Sequence, residues 1–307
     1  MDGMPFFSYI AFQAVHTPVQ APQEYIDKYM GKYDAGWQRL REERLERAIE
    51  KNIVPPGTRM KQMPTSVEWD SLSDAEKKYE SKKMAVYAGM VDAMDYHMGR
   101  LLTYLKETGQ YDNTGFIFTS DNGTACTDVD SNKVAWERLY LKLWMKANGY
   151  NRDYETLGTR GSYINMGMTF GSSAGAPLAY FKFWVGEGGM RVPLIISGKG
   201  IPEKGKMSNA FTYVTDITPT ILDIAGVTPH QGSYKGRRIE PMIGKSLLPL
   251  AKGEAERVYH EDETIGYELT GHAALFKGDY KIVKNRSPVG DNAWHLFNIV
   301  DDPGETR

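Results

Sequence analysis

The stretch FIFTSDNGTAC, residues 116–126, places a carboxylate and a carboxamide side by side directly after an apolar run. Asp121 and Asn122 both offer side-chain oxygens, which are the donors that Ca²⁺ and Mg²⁺ take. Ligands of open α/β sheets bind at the carboxyl ends of the strands, so a hard-cation site is one interpretation. An ordinary turn is the other, because Asp, Asn and Gly all favour turns. Taken alone, these residues favour the turn.

Two further side chains have types that bind anions. His16 follows the strand-like run 5–13 and precedes Pro18, so we expect its ring at the same sheet edge, where it can donate a hydrogen bond or protonate a leaving group. Lys182, in YFKFWVGEGGMRVP, can present a point charge to a sulfate or phosphate oxygen. Each residue also has an ordinary interpretation. His16 can be a surface or core histidine whose ring is hydrogen-bonded to neighbouring residues, and Lys182 can be a surface lysine whose aliphatic part covers apolar atoms.

Composition excludes several classes of protein. The 307 residues include 37 basic and 39 acidic side chains, so no global field favours nucleic acid or an anionic membrane. No apolar run approaches the roughly 20 residues that span a bilayer. Cys126 is the single cysteine, which excludes an internal disulfide, and ACTDVD offers no basic neighbour to favour a thiolate. We interpret it as structural. The first residues lack the features of a signal peptide, and the compartment stays open.

The elements that must position these residues are of α/β type. Residues 5–13 are predicted to form a buried strand, and WQRLREERLERAIEKN a charged helix. Ser73 to Glu76 has capping-box spacing, and apolar residues then recur at three- and four-residue steps up to Gly109, which predicts a long helix. A strand at 115–119 follows it.

The second half of the chain is less regular at first and then rich in strands. Residues 127–180 are predicted to be a long excursion with a short helix near 133–147. A strand at 191–198 and a helix at 216–227 follow. After about residue 230, GHAALFKGDYKIVKN and AWHLFNIV predict a small antiparallel sheet. We therefore expect an incomplete catalytic α/β domain at 1–230, with a mixed, mainly parallel sheet flanked by helices, and a C-terminal antiparallel-sheet subdomain at 231–307.

Several motifs, taken together and in this order, resemble those of the arylsulfatases of the alkaline phosphatase superfamily. They are PFFSYIAFQAVHTPVQAP, YAGMVDAMDYHMGRLLTYL, FTSDNG, YFKFWVGEGGMRVPLI, VTDITPTILDIAGV and HLFNIVDDPGE. YDAGWQRLREERLER and APLAYFKFW are most similar to the bacterial alkyl/aryl type. The resemblance covers nearly the whole chain and corresponds to the C-terminal two-thirds of such an enzyme.

The resemblance implies an alkaline-phosphatase-like fold, a sulfate ester as small-molecule substrate and a role for each residue singled out above. Asp121 and Asn122 match two ligands of the active-site Ca²⁺, for which Mg²⁺ is the alternative. His16 matches the histidine that contacts the sulfate and the leaving-group oxygen. Lys182 matches the lysine that binds a sulfate oxygen.

Other parts of the family pattern are missing from the sequence. Family members carry Cys-x-Pro-x-Arg or Ser-x-Pro-x-Arg, whose first residue becomes the formylglycine nucleophile, and an Asp-Asp pair near the N-terminus that completes the calcium shell. Neither is found here, and Cys126 is followed by Thr127-Asp128-Val129 instead. We expect these elements in a segment or chain upstream of Met1, and we expect the chain alone to be inactive because it lacks the nucleophile.

Two alternatives stay open. A phosphodiesterase or phosphonate hydrolase of the same superfamily would use a similar metal pair and histidine. A non-catalytic binding module, or one chain of a split enzyme, would also lack the nucleophile. The retention of His16, Asp121, Asn122 and Lys182 together favours the catalytic interpretation.

Overall fold

A computed structural model describes residues 4–127, 135–202 and 205–307 of the chain. In chain order, the helices of these residues are α1 (Gln23–Asp27), α2 (Gly36–Glu50), α3 (Asp74–Glu107), α4 (Ala135–Ala147), α5 (Gly167–Gly175), α6 (Glu187–Met190), α7 (Ile217–Ile224) and α8 (Leu248–Ala251). The strands are β1 (Gly115–Thr119), β2 (Leu194–Gly198), β3 (Ser233–Tyr234), β4 (Arg237–Arg238), β5 (Thr264–Leu269), β6 (His272–Lys277), β7 (Tyr280–Lys284) and β8 (Trp294–Asn298).

The long helix α3 begins at the predicted cap. The backbone N–H of Glu76 donates to Ser73 Oγ, and the backbone N–H of Ser73 donates to the Glu76 carboxylate over 2.8 Å. This reciprocal pair satisfies two of the donors that a helix start leaves free. The predicted apolar stripe is buried at Met84 and Leu105, whereas Val91 between them is exposed. The stripe therefore faces the core over only part of its length.

The first core lies between α1, α2, α3 and α5. Trp37 of α2 is buried, and the edge of its ring system meets Trp69 at 4.8 Å and Phe170 of α5 at 5.3 Å between ring centroids. Edge-to-face aromatic pairs add about 0.5–1.5 kcal/mol each beyond the area that they bury. This core holds α5 in place, and α5 in turn supports the segment that follows β1.

The strands that are described pair only in the antiparallel sense. β1 and β2 form a two-stranded sheet with Ile117 opposite Ile196, and β5 to β8 form a four-stranded sheet in chain order. The antiparallel C-terminal sheet was predicted, with β5 as an additional strand. Parallel pairs, which the sequence analysis expected, are not found among these strands, because an apolar run specifies an extended segment but not the direction of its partner.

Residues 5–13, predicted to be a buried strand, take no regular secondary structure in the described chain. Their large apolar side chains are exposed, from 38% at Phe12 to 85% at Tyr9. That prediction was wrong. Aromatic and β-branched residues favour a pleated, half-buried surface, but a strand also needs a neighbour for its backbone hydrogen bonds, and no described strand pairs with this segment.

The C-terminal sheet packs against the segment around α6. Val185 is buried among Ala274, Phe276 and Val283 of the sheet, and its N–H donates to Asn285 Oδ1 over 3.0 Å. The domain boundary at 230/231 stays a prediction, and these contacts cross it. Among the described residues, no helix combines the length and apolar character needed to cross a membrane.

Candidate active site

Asp121 and Asn122 lie on the turn that follows β1. Ser120 Oγ donates to the backbone oxygen of Asn122, and Asn122 Nδ2 donates to the backbone oxygen of Gly123, both over 2.9 Å. These bonds fix the carboxamide with its nitrogen toward the turn. Within the described part of the chain, no hydrogen bond or ion pair engages Asn122 Oδ1 or the exposed Asp121 carboxylate. The oxygens of these two side chains are therefore available as donors to a cation.

Gly123 brings this turn against α6. Its N–H donates to the backbone oxygen of Gly189 over 3.0 Å. A Cβ at position 123 would lie 1.9 Å from the backbone oxygen of Gly188, far inside any real contact distance. Glycine is required here because two backbones approach each other without a side chain between them. The close contact links the Asp121-Asn122 turn to the GEGGM segment.

The segment that contains Lys182 is hydrogen-bonded to the loop that follows Asn122. The N–H of Lys182 donates to the backbone oxygen of Thr124 over 2.9 Å, and Cys126 Sγ donates to the backbone oxygen of Lys182 over 3.5 Å. Cys126 is buried, as expected of a structural thiol. Lys182 itself is half-buried, with Nζ 5.8 Å from the centroid of the Phe183 ring. Lys182 is thus held next to the loop that starts at Asp121.

The backbone on both sides of Lys182 is strained. Tyr180 has a φ of 66° and Phe183 a φ of 81°, a region that L-residues with bulky side chains rarely occupy. Each such residue costs about 1–3 kcal/mol, and strain of this kind clusters at functional sites. Two strained aromatic residues around one lysine therefore support a functional role for this segment.

A buried cluster of three charged side chains includes Glu187 of α6. Lys281 Nζ lies 2.9 Å from the carboxylate of Glu187 and 2.8 Å from that of Glu305, and all three side chains are at most 5% exposed. Burial disfavours the charge on Lys281, but the attraction of the two carboxylates outweighs it and raises the pKa of Lys281 above its usual value. Burial also raises the pKa of Glu305.

His16 lies on a different segment, and its ring is exposed. Its Nδ1 is 2.9 Å from the backbone oxygen of Thr17. The chain after it is attached to the loop before α5, because the N–H of Val19 donates to the backbone oxygen of Ile164 over 2.9 Å. Among the described residues, no hydrogen bond joins His16 to Asp121, Asn122 or Lys182. The role of His16 stays a prediction.

α5 connects the two segments. The N–H of Gly167 donates to the backbone oxygen of Thr127 over 3.1 Å, and Thr124 Oγ1 donates to that of Gly171 over 2.7 Å. The segments of Asp121, Asn122 and Lys182 are thus joined by backbone contacts. In the described part of the chain, His16 is linked to them through the residues before and within α5.

The oxygen donors present suit a hard cation in type but not in number. Asp121 and Asn122 supply a carboxylate and a carboxamide oxygen, whereas Ca²⁺ takes about 6–8 oxygens. In the described ranges, no group of three or more His, Cys, Asp or Glu side chains could hold a metal ion. The described residues therefore offer at most part of the oxygen shell that Ca²⁺ takes.

The charge cluster of Lys281, Glu187 and Glu305 was not predicted from the sequence. Glu187 entered only as a residue of YFKFWVGEGGMRVP, and neither Lys281 nor Glu305 was singled out. The signal available was weak: Lys281 alternates with apolar residues in YKIVK, but a lysine there indicates a buried cation only once its carboxylate partners are known.

Comparison with known proteins identifies the family of the chain. The sulfatase family model matches residues 2–227. An uncharacterised sulfatase of Schizosaccharomyces pombe is 34% identical over 308 residues, covering 98% of this chain and 53% of that protein. The arylsulfatase of Klebsiella aerogenes is 32% identical over 248 residues, covering 80% of this chain and 52% of that protein.

The solved structures support the fold. The crystal structure of Ps i-CgsB superimposes with a TM-score of 0.56 at 23% identity, covering 99% of this chain and 45% of that one. The fold is α/β and alkaline-phosphatase-like, as predicted. The chain spans about half the length of the curated relatives it matches, less than the two-thirds that the resemblance suggested. On the family model and the identity to both relatives, the chain belongs to the sulfatase family.

Proposed function

We propose that this chain carries the sulfate-binding and part of the calcium-binding machinery of a sulfuric ester hydrolase that acts on sulfate monoesters. One observation carries the proposal. The unengaged oxygens of Asp121 and Asn122 lie on a turn whose continuation is hydrogen-bonded to the backbone of Lys182. A cation site, and beside it a lysine whose backbone is bonded to the same loop, suit an anionic substrate.

Hydrolysis of a sulfate monoester breaks the bond between sulfur and the ester oxygen and consumes one water. Negative charge builds up on the sulfuryl oxygens and on the leaving oxygen. Lys182 is proposed to bind a sulfuryl oxygen and stabilise that charge through a preorganised position. His16 is proposed to contact the sulfate and to donate a proton to the leaving oxygen. Ca²⁺, when bound by Asp121, Asn122 and further ligands, supplies additional positive charge to the sulfate group.

The nucleophile is proposed to be a formylglycine that is not among these 307 residues, since the sequence contains neither Cys-x-Pro-x-Arg nor Ser-x-Pro-x-Arg. Without it, nothing in the described site divides the reaction into transfer and hydrolysis. We therefore expect this chain alone to bind ligands without turning over sulfate esters. Metal-dependent hydrolysis of 4-nitrophenyl sulfate by the purified chain would contradict this expectation.

Titration with Ca²⁺, followed by the NMR signals of the Asn122 and Gly123 amides, tests the metal site. With only two protein side chains as ligands, the dissociation constant is expected to be about 1 mM or weaker. Asp121→Ala should abolish the shifts, whereas Asp112→Ala, at an exposed aspartate of the helical turn Tyr111–Asn113, should leave them unchanged. Shifts that persist in Asp121→Ala would rule out the site.

Binding of inorganic sulfate tests the anion site separately. Lys182→Met should weaken sulfate binding with little effect on Ca²⁺ binding. The same titration with inorganic phosphate addresses the phosphodiesterase alternative, because the residues of the site do not by themselves separate sulfuryl from phosphoryl groups. A clear preference for phosphate would favour that alternative, and no response to either anion would favour a non-catalytic module.

A further inference from the structure

Helix α4 presents a row of large apolar side chains to solvent. Trp136, Leu139, Tyr140 and Leu143 are 66%, 58%, 63% and 58% exposed. Their spacing places all four on one face of the helix. Exposed apolar residues scattered singly are ordinary, but four in one row form a patch that marks an interaction surface.

This face is not the one that attaches α4 to the protein. Leu141, Trp144 and Met145 are partly buried, and the Trp144 ring stacks on Tyr150 at 5.6 Å and meets Tyr163 edge-on at 5.7 Å. Among the described residues, the helix is therefore held by a second face, which carries Trp144 and not the exposed row.

A row of cations runs beside the apolar row. Arg138, Lys142 and Lys146 are exposed and follow each other at four-residue steps. A helix turns by about 100° per residue, which places this basic row about 110° around the axis from the apolar row. The sequence of α4 contains one carboxylate, Glu137, against these three cations. The protein as a whole has a net charge of −2, so the positive charge is a local property of this helix.

The combination favours one kind of occupant. A second copy of the chain, meeting this surface with the same surface, would bring two basic rows together. A helix of 13 residues is too short to span a bilayer. A helix with Trp and Leu on one face and Lys and Arg beside it is instead typical of helices that lie in a membrane interface, where the rings of Trp and Tyr are also favoured.

We propose that α4 docks this chain onto the surface of an anionic phospholipid bilayer. Trp136, Leu139, Tyr140 and Leu143 insert at the level of the headgroups, and Arg138, Lys142 and Lys146 contact the lipid phosphates. The attachment is peripheral and reversible, because one short helix buries only a few apolar side chains. It is independent of the sulfate site.

Co-sedimentation with vesicles tests the proposal on the whole chain. Binding is expected to vesicles of equal parts phosphatidylcholine and phosphatidylglycerol, at least tenfold stronger than to phosphatidylcholine alone, and to weaken as salt is added. The double variant Leu139→Gln/Leu143→Gln should reduce binding at least tenfold. Lys142→Gln/Lys146→Gln should reduce binding to the anionic vesicles and weaken its salt dependence.

Leu296→Gln is the matched control, because Leu296 of β8 is 60% exposed and lies outside α4. It should bind vesicles like the unmodified chain, and circular dichroism should show that every variant is folded. Absence of binding to anionic vesicles would overturn the proposal. So would equal losses in the α4 and Leu296 variants, or a dimer in solution that the Leu139/Leu143 variant dissociates.

Discussion

His272 is a buried ring at the start of β6, in contact with the segment that carries Lys182. It lies 5.7 Å from the Trp184 ring, and the backbone N–H of Arg286 donates to its Nδ1 over 3.1 Å. An accepting Nδ1 requires the neutral imidazole. Burial and the charge of Arg286 lower the pKa of His272 below 6.5, although the Asn285 side chain and Glu268 oppose the shift.

The sign of the resulting pH effect follows from linkage. As pH falls through 6.5, the unfolded chain takes up a proton at position 272 before the folded protein does, so this histidine's contribution to stability is present above that value and is lost on acidification. Urea unfolding between about pH 8 and about pH 5 should show this loss. His272→Gln should flatten the dependence and His97→Gln, at an exposed histidine of α3, should not. An equal slope in all three proteins would contradict the prediction.

Some residues of the candidate site could be predicted from the sequence and others could not. Asp121 and Asn122 could be found because their chemistry and the preceding strand are adjacent in sequence. Lys281 could not, since its partners lie 94 and 24 residues away and only the folded chain brings them together. The same limit applies to the strain at Tyr180 and Phe183, because nothing in their types predicts a positive φ.

At the scale of elements, local signals were sufficient where an element is defined by its own residues. The capping box at Ser73, the turn at Gly278 and the alternation in β6 and β7 each specify their structure locally. The segment 5–13 shows the opposite case, because its apolar residues predict a strand whose pairing partner must come from elsewhere. The antiparallel pairing of β1 with β2 was missed for the same reason.

Two glycines of α3 are expected to change the stability of the protein in opposite directions when each is replaced by alanine. A Cβ at Gly89 would lie 2.9 Å from the backbone carbonyl carbon of Tyr25, whereas nothing lies within 4 Å of a Cβ at Gly99. Gly89→Ala should therefore destabilise the protein by about 1–3 kcal/mol through overpacking against α1. Gly99→Ala should stabilise it by about 0.5–1 kcal/mol, because alanine favours the helix. Chemical denaturation of both variants measures the difference, and a shift of the same sign in both would refute the packing of α1 on α3.

At the scale of the whole molecule, the C-terminal sheet and the candidate site form one structure. Lys281 on β7 holds Glu187 of α6, α6 contacts Gly123, and Gly123 follows Asp121 and Asn122. The cluster is also joined to the last residues of the chain, because Glu305 accepts a hydrogen bond from the N–H of Glu187 over 3.1 Å. A change inside the sheet should therefore reach the site.

Lys281→Met tests this coupling. It leaves two carboxylates buried without their cation, and removing one partner of a buried ion pair costs about 3–5 kcal/mol. Lys28→Met removes one partner of the exposed pair with Asp92 and should leave the free energy of unfolding nearly unchanged, since exposed pairs contribute little. Adding Glu187→Gln and Glu305→Gln to Lys281→Met should recover part of the loss, because the uncompensated charge is then removed.

Amide hydrogen exchange shows which parts of the protein Lys281→Met destabilises. The N–H of Gly188 donates to the backbone oxygen of Ala179 over 2.7 Å and that of Gly189 to Gly186 over 2.9 Å, so both amides should exchange slowly in the unmodified chain. In Lys281→Met they should exchange faster, together with the amides of β6 and β7, in a single unfolding transition. If the sheet lost protection while Gly188 and Gly189 kept it, residues 231–307 would unfold as a separate unit and the site would not depend on Lys281. Faster exchange at both places would mean that the C-terminal sheet helps to position the loop of Asp121 and Asn122 and the segment of Lys182.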